Sequence, residues 1–111
     1  MSPFEECISK LEDKATAKVL AVFWRRLKAE LPDLPEPAAM PLEDGGVQMC
    51  WDKGEFHFEI DIFANETYEW FYRNRFINSY QGGELSVYFF PAEMLTRLQL
   101  LCPPEPENDL C

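Results

Sequence analysis

The sequence predicts a single α+β domain: a four-stranded antiparallel sheet with an N-terminal helical segment and a C-terminal helix on one face. Three observations predict it. From Glu55 to Phe63 the chain alternates, with Phe56, Phe58, Ile60 and Ile62 on one side and Glu55, His57, Glu59 and Asp61 on the other, the period of a half-buried strand. Apolar residues at helical spacing lie on both sides of this stretch, Leu20, Phe23, Trp24, Leu27 and Leu31 before it and Met94, Leu95, Leu98 and Leu101 after it. With 111 residues, 47% of them hydrophobic, the chain has material for one core and not two.

Taken in order, Ser2, Pro3 and Glu5 read as the start of a helix, with proline at its first position and a carboxylate able to reach back to the cap. Phe4, Ile8, Leu11 and Ala15 set one stripe, and the stripe from Leu20 to Leu31 points almost oppositely. Either a break or bend near Asp13 to Thr16 reconciles them, which is the preferred reading, or one long helix is wrapped on two sides. Lys14, Lys18, Arg25 and Lys28 share a sector that reads as the solvated side, the functional alternative being a phosphate contact. Pro32, Pro35, Pro37 and Pro41 then end the helix and predict a stiff, extended linker.

Asp44-Gly45-Gly46 turns the chain into a first strand, where Val47, Met49 and Trp51 alternate, and Asp52-Lys53-Gly54 connects it to the strand from Glu55 to Phe63. Asn65-Glu66 makes the next turn, into a third strand from Tyr68 to Arg73. From Arg73 to Gly83 no period holds, so this stretch, with Gly82-Gly83 as a turn, reads as a loop able to carry function. Leu85 to Phe90 supplies the fourth strand and Pro91 opens the last helix. The domain spans residues 1–102; residues 103–111, with three prolines and three acids, read as a flexible tail.

Ten basic residues stand against twenty acidic ones, a formal charge of −10. Such a chain does not bind nucleic acid through its overall field; a partner with a basic surface suits it better. The acidity sits in the sheet half: residues 1–31 hold six basic and five acidic groups, residues 32–111 four and fifteen. Cys7, Cys50, Cys102 and Cys111 have no paired spacing and His57 is the sole histidine, so neither a zinc module nor a disulfide framework is predicted, and the thiols are expected reduced. No apolar run approaches the roughly 20 residues of a membrane span. The start lacks the layout of a signal peptide, which places the expected chain in a cytoplasm, as a monomer or homodimer without a cofactor.

His57 shares its strand face with Glu55 and Glu59, but any alternating face puts residues i and i+2 side by side. No nucleophile or second histidine is tied to it by a motif. A metal site of His57, Glu59 and Asp61 would need ligands from other elements. The chain is therefore expected to be a non-enzymatic binding protein. Its expected contact residues are Glu55, Glu59 and Asp61, with Asp52 and Glu66 at the ends of the same strand; the alternative is that this face is simply solvated, in which case the aromatic loop with Phe76 and Tyr80 is the expected contact. Carboxylates two apart on a strand are spaced by about 6.6 Å, suited to occupying the Lys and Arg side chains that hold nucleic acid.

The proline-rich linker, Asp44-Gly45-Gly46-Val47, the alternation to Trp51 and the glycine turn together resemble a group of small bacterial and mobile-element proteins, mostly without assigned function. The likeness covers roughly residues 20–75 and implies a helix packed on an antiparallel sheet, with no transferable active site. In size and acidity alone the chain is similar to phage-encoded anti-CRISPR proteins, which block nucleic-acid-binding effectors such as CRISPR complexes in a bacterial host. Small acidic secretion chaperones and antitoxins, which would use an apolar aromatic surface, are similar in the same compositional sense.

Overall fold

The structure, a computed structural model, describes residues 3–74 and 79–102, with backbone alone for residues 3 and 79–82. It is α+β, with helices α1 (Pro3–Lys10), α2 (Lys14–Glu30) and α3 (Ala92–Gln99) and strands β1 (Ala38–Pro41), β2 (Val47–Lys53), β3 (Phe56–Ile62), β4 (Thr67–Asn74) and β5 (Ser79–Ser86). The strands form one antiparallel sheet in the order β1-β2-β3-β4-β5, a meander in which each strand pairs with its neighbours in sequence. Five strands stand where four were expected, and the helix breaks over residues 11–13, a little before the expected 13–16, so that Thr16 already lies in α2.

That break has a local cause. Asp13 takes an extended conformation, and its carboxylate accepts hydrogen bonds from the backbone N–H of Ala15 (3.0 Å) and Thr16 (3.2 Å), capping α2. Thr16, rather than Ala15, faces inward, and its hydroxyl donates to the carbonyl of Gly45 at 2.9 Å, fastening the first turn of α2 to the β1–β2 hairpin. At the other end Lys28 donates to the carbonyls of Pro32 (2.7 Å) and Leu34 (2.9 Å), satisfying acceptors just beyond the helix. Lys28 thus belongs to the helix terminus and not to an open basic stripe.

The additional strand, β1, lies inside the expected linker. Leu42 donates to Gly46 at 2.7 Å, so residues of the Leu42 parity bond to β2 while Ala39 and Pro41 turn their backbone groups outward. Proline is tolerated in an edge strand when its missing N–H would have faced away. The Trp51 indole anchors the approach by donating to the carbonyl of Pro35 at 2.7 Å.

The first turn is Gly54-Glu55 alone: Lys53 pairs with Phe56, so Asp52 and Lys53 belong to β2. Gly54 adopts a φ of +59°, at the first of two turn positions, where a tight hairpin takes glycine. Gly82 and Gly83, read as a turn, lie inside β5 opposite Phe71 and Trp70. The fourth strand accordingly runs from Ser79 to Ser86 and not from Leu85 to Phe90.

The inner face stacks apolar pairs across the sheet: Val47 opposite Ile62 and Ile62 opposite Tyr68, Met49 opposite Ile60 and Ile60 opposite Trp70, Trp51 opposite Phe58 and Phe58 opposite Tyr72. All nine are buried, together with Leu20, Phe23 and Leu27 of α2 and Met94 and Leu98 of α3, in one cluster. Trp24 lies against both Phe4 and Trp51, with ring centroids 5.0 and 6.4 Å apart, tying α1 and β2 to the middle of α2. Arg97 of α3 lies 5.1 Å over the Tyr72 ring. No helix among the described residues is long and apolar enough to cross a membrane. The expected tail, residues 103–111, lies outside the described residues.

Candidate functional site: the acidic face of the sheet

The parity that buries one face fixes the composition of the other. Opposite residues in adjacent strands share a face, so the register Gln48–Asp61–Glu69–Glu84 is a row running across β2, β3, β4 and β5. Three of its four members are carboxylates. Glu59 stands beside this row, two residues from Asp61 and directly opposite Phe71. Glu59, Asp61, Glu69 and Glu84 together line an open concavity of about 380 Å³ whose floor includes Phe71 and Gly83.

Like charges placed opposite one another repel, and the protonation equilibria carry the mark of it. Burial raises the Asp61 carboxyl above its ordinary range; hydrogen bonding from Gln48 pulls the other way, and the charges of Glu59 and Asp44 add to the rise. Partial desolvation likewise raises Glu69, assisted by the charge of Glu84 and a hydrogen bond shared with it. One side chain moderates the cluster. The Gln48 amide donates to Asp61 at 3.1 Å and to Glu59 at 3.3 Å.

The expected contact residues divide. Glu59 and Asp61 join the cluster, but Glu55 lies in the β2–β3 turn and is exposed there, outside the row. Asp52 sits directly opposite His57 at the other end of the hairpin, 3.4 Å from its Nδ1. Glu66 lies in the β3–β4 turn with φ +67° and accepts a hydrogen bond from the Tyr88 hydroxyl at 2.6 Å. Phe76 is outside the described residues; Tyr80 is placed by backbone register opposite Arg73, its side chain being outside the description. The row along one strand is therefore replaced by a row across three. Glu69 and Glu84, absent from the expectation, complete it. Its place between the inward Tyr68 and Trp70 is the one signal for Glu69 that the sequence holds; nothing within one strand tells that it stands opposite Asp61.

His57 Nε2 lies 2.6 Å from the Glu59 carboxylate, so the imidazole is held between Asp52 and Glu59. Among the described residues no group of three or more His, Cys, Asp or Glu side chains is placed to hold a metal ion. No protein-family model, no curated protein and no solved structure matches the chain.

Proposed function

We propose that this protein is a non-enzymatic binding module that lays its acidic sheet face on a basic surface of a nucleic-acid-binding effector and so denies that surface to nucleic acid. The observation that carries the reading is the row Asp61, Glu69 and Glu84, with Glu59 beside it. Adjacent carboxylates destabilise a free sheet face, and a cationic partner converts their repulsion into attraction on binding. Lys and Arg side chains that grip phosphates are the natural complement of such a face. An anti-CRISPR-like inhibitor acting in a bacterial cytoplasm is the concrete form of this proposal, with Glu59 and Asp61 as contact residues.

An affinity capture from bacterial lysate, repeated with an Asp61→Asn, Glu69→Gln, Glu84→Gln variant, tests it. A captured protein should have a basic surface, should release nucleic acid as the complex forms, and should be lost steeply as salt rises, because charge-steered association is screened within about 8 Å at physiological ionic strength. Equal capture by the variant, with the same salt dependence, would overturn the reading. Tyr88 and Phe89, each 55% exposed, support the rival reading of an antitoxin or secretion chaperone with an apolar aromatic contact surface. In that case the complex would resist salt and fail when Phe89 is replaced by Ser.

A further inference from the structure

The two edges of the sheet are built differently. At β1 the edge is four residues long. Its outward positions are Ala39, whose carbonyl accepts from the Cys7 thiol at 3.6 Å, and Pro41, which has no N–H to offer. Short length, proline and a covering helix are the ways in which a sheet edge is closed to further strands. At β5 the edge is eight residues long, about 26 Å at 3.3 Å per residue, and contains no proline.

Two hydrogen bonds fix which backbone groups of β5 face outward. Phe63 donates to Thr67, so the odd-numbered residues of β4 bond to β3 and the even-numbered ones to β5. Val87 donates to Glu66, in the same register, which directs Gln81, Gly83 and Leu85 toward β4. The N–H and C=O groups of Tyr80, Gly82 and Glu84 are left along the free edge, and among the described residues no strand pairs with it. Glu84 is also the end of the carboxylate row.

We infer that the β5 edge takes up an extended segment of the partner, carrying Lys or Arg at alternate positions, as a sixth strand of the sheet. This rests on the acidic-face reading and specifies how the partner engages it. Backbone hydrogen bonds to the edge supply affinity without sequence preference, and alternate side chains of an added strand fall on the outer face next to Glu84, the near end of the carboxylate row, where a cation is favoured. A second copy of the chain is the poorer occupant, because pairing two β5 edges brings two such rows together in chains that each carry −10.

An eight-residue peptide of alternating Lys and Thr is the probe, compared with the same peptide N-methylated at every second residue, which keeps the charge and loses the edge hydrogen bonds. The plain peptide should bind, slow hydrogen exchange at the Gly82 and Glu84 amides, and bind at least about tenfold more tightly than its N-methylated form. Gly82→Pro in the protein, a substitution at an outward N–H, should weaken binding to a similar degree; if that variant does not fold, the peptide pair decides alone. Equal binding of the two peptides overturns strand addition and leaves charge-driven docking of the face standing. Binding that needs the peptide N–H groups but is unchanged in the Asp61→Asn, Glu69→Gln, Glu84→Gln variant overturns the basic occupant and the acidic-face reading with it, as does failure of both peptides to bind. Self-association in sedimentation, lost in Gly82→Pro, would give the edge to a second copy and overturn the inference.

Discussion

The two faces of this sheet are made by the same ladder and have opposite energetics. On the inner face, register sets Phe58 between Trp51 and Tyr72, and Ile60 between Met49 and Trp70, pairs that stabilise by burial and ring contact. On the outer face the same register sets Asp61 opposite Glu69 and Glu69 opposite Glu84, pairs that repel. A sheet folds on the strength of one face, and the other is then open to arrangements that stability alone would disfavour.

The largest effect expected from breaking this contrast comes from the inner face. Phe58 is 1% exposed, and its ring lies 6.1 Å from Trp51, 5.8 Å from Trp70 and 6.0 Å from Tyr72, centroid to centroid. Phe58→Ala should cost about 3–5 kcal/mol in denaturant unfolding through the cavity it leaves. A melting temperature equal to that of the parent would mean that this side chain is not in the core.

A smaller loss is expected at Gly46, where the outer face is closed and not open. A Cβ built there meets the Ile62 carbonyl oxygen at 2.7 Å and the Phe63 ring at 3.0 Å. Backbone cannot yield as a flexible side chain does, so Gly46→Ala should cost about 1–3 kcal/mol. Stability matching that of the parent would show that the β1–β2 hairpin shifts freely relative to β3.

Least in size, and opposite in sign, is the outer-face prediction. Burial raises the Asp61 carboxyl above 3.8, and partial desolvation together with Glu84 raises the Glu69 carboxyl above 4.5. For an acid raised by folding, the native state holds its proton more tightly than the unfolded chain. The resulting contribution to stability is fully present below the ordinary value and is lost as pH rises through the raised one. These two groups therefore favour folding more as pH falls from neutrality toward their ordinary carboxylate range. In urea melts, Glu69→Gln should stabilise the protein near neutrality by less than about 1 kcal/mol and flatten that part of the pH profile. A variant with the parent's slope would remove Glu69 as its source.

What could be read in advance follows the same division. Alternation at Val47, Met49 and Trp51 and again at Phe56, Phe58, Ile60 and Ile62 is a property of single strands, and it placed the core residues on their face. A break near Asp13 was legible as a change of stripe direction, but the cap that makes it was not, since Asp13 lies among other polar residues. Strand β1 was not, because Ala38 and Ala39 have no alternation to show and four prolines nearby signal an extended linker as well as an edge. At Gly82-Gly83 the absence of side chains looks the same in a turn as in a strand. Above all, the carboxylate row is a relation among three strands. Its members are fixed by which residue faces which across hairpins, and Gly54-Glu55 making the turn where Asp52-Lys53-Gly54 was expected is enough to take Glu55 out of it.

The meander order carries a consequence for how the chain comes into being. The first three hairpins close over a few residues, at Leu42–Gly46, Gly54-Glu55 and Phe63–Thr67, so little entropy is lost in joining β1 through β4. During synthesis, α1 and α2 leave the ribosome before the sheet they cover, and α3 leaves after it. Nascent strands thus find half of their covering already made. The remainder of the inner face, next to Met94 and Leu98, stays wet until α3 emerges, at about 5–20 residues per second. That interval of a second or so is when the apolar sheet is most open to wrong contacts.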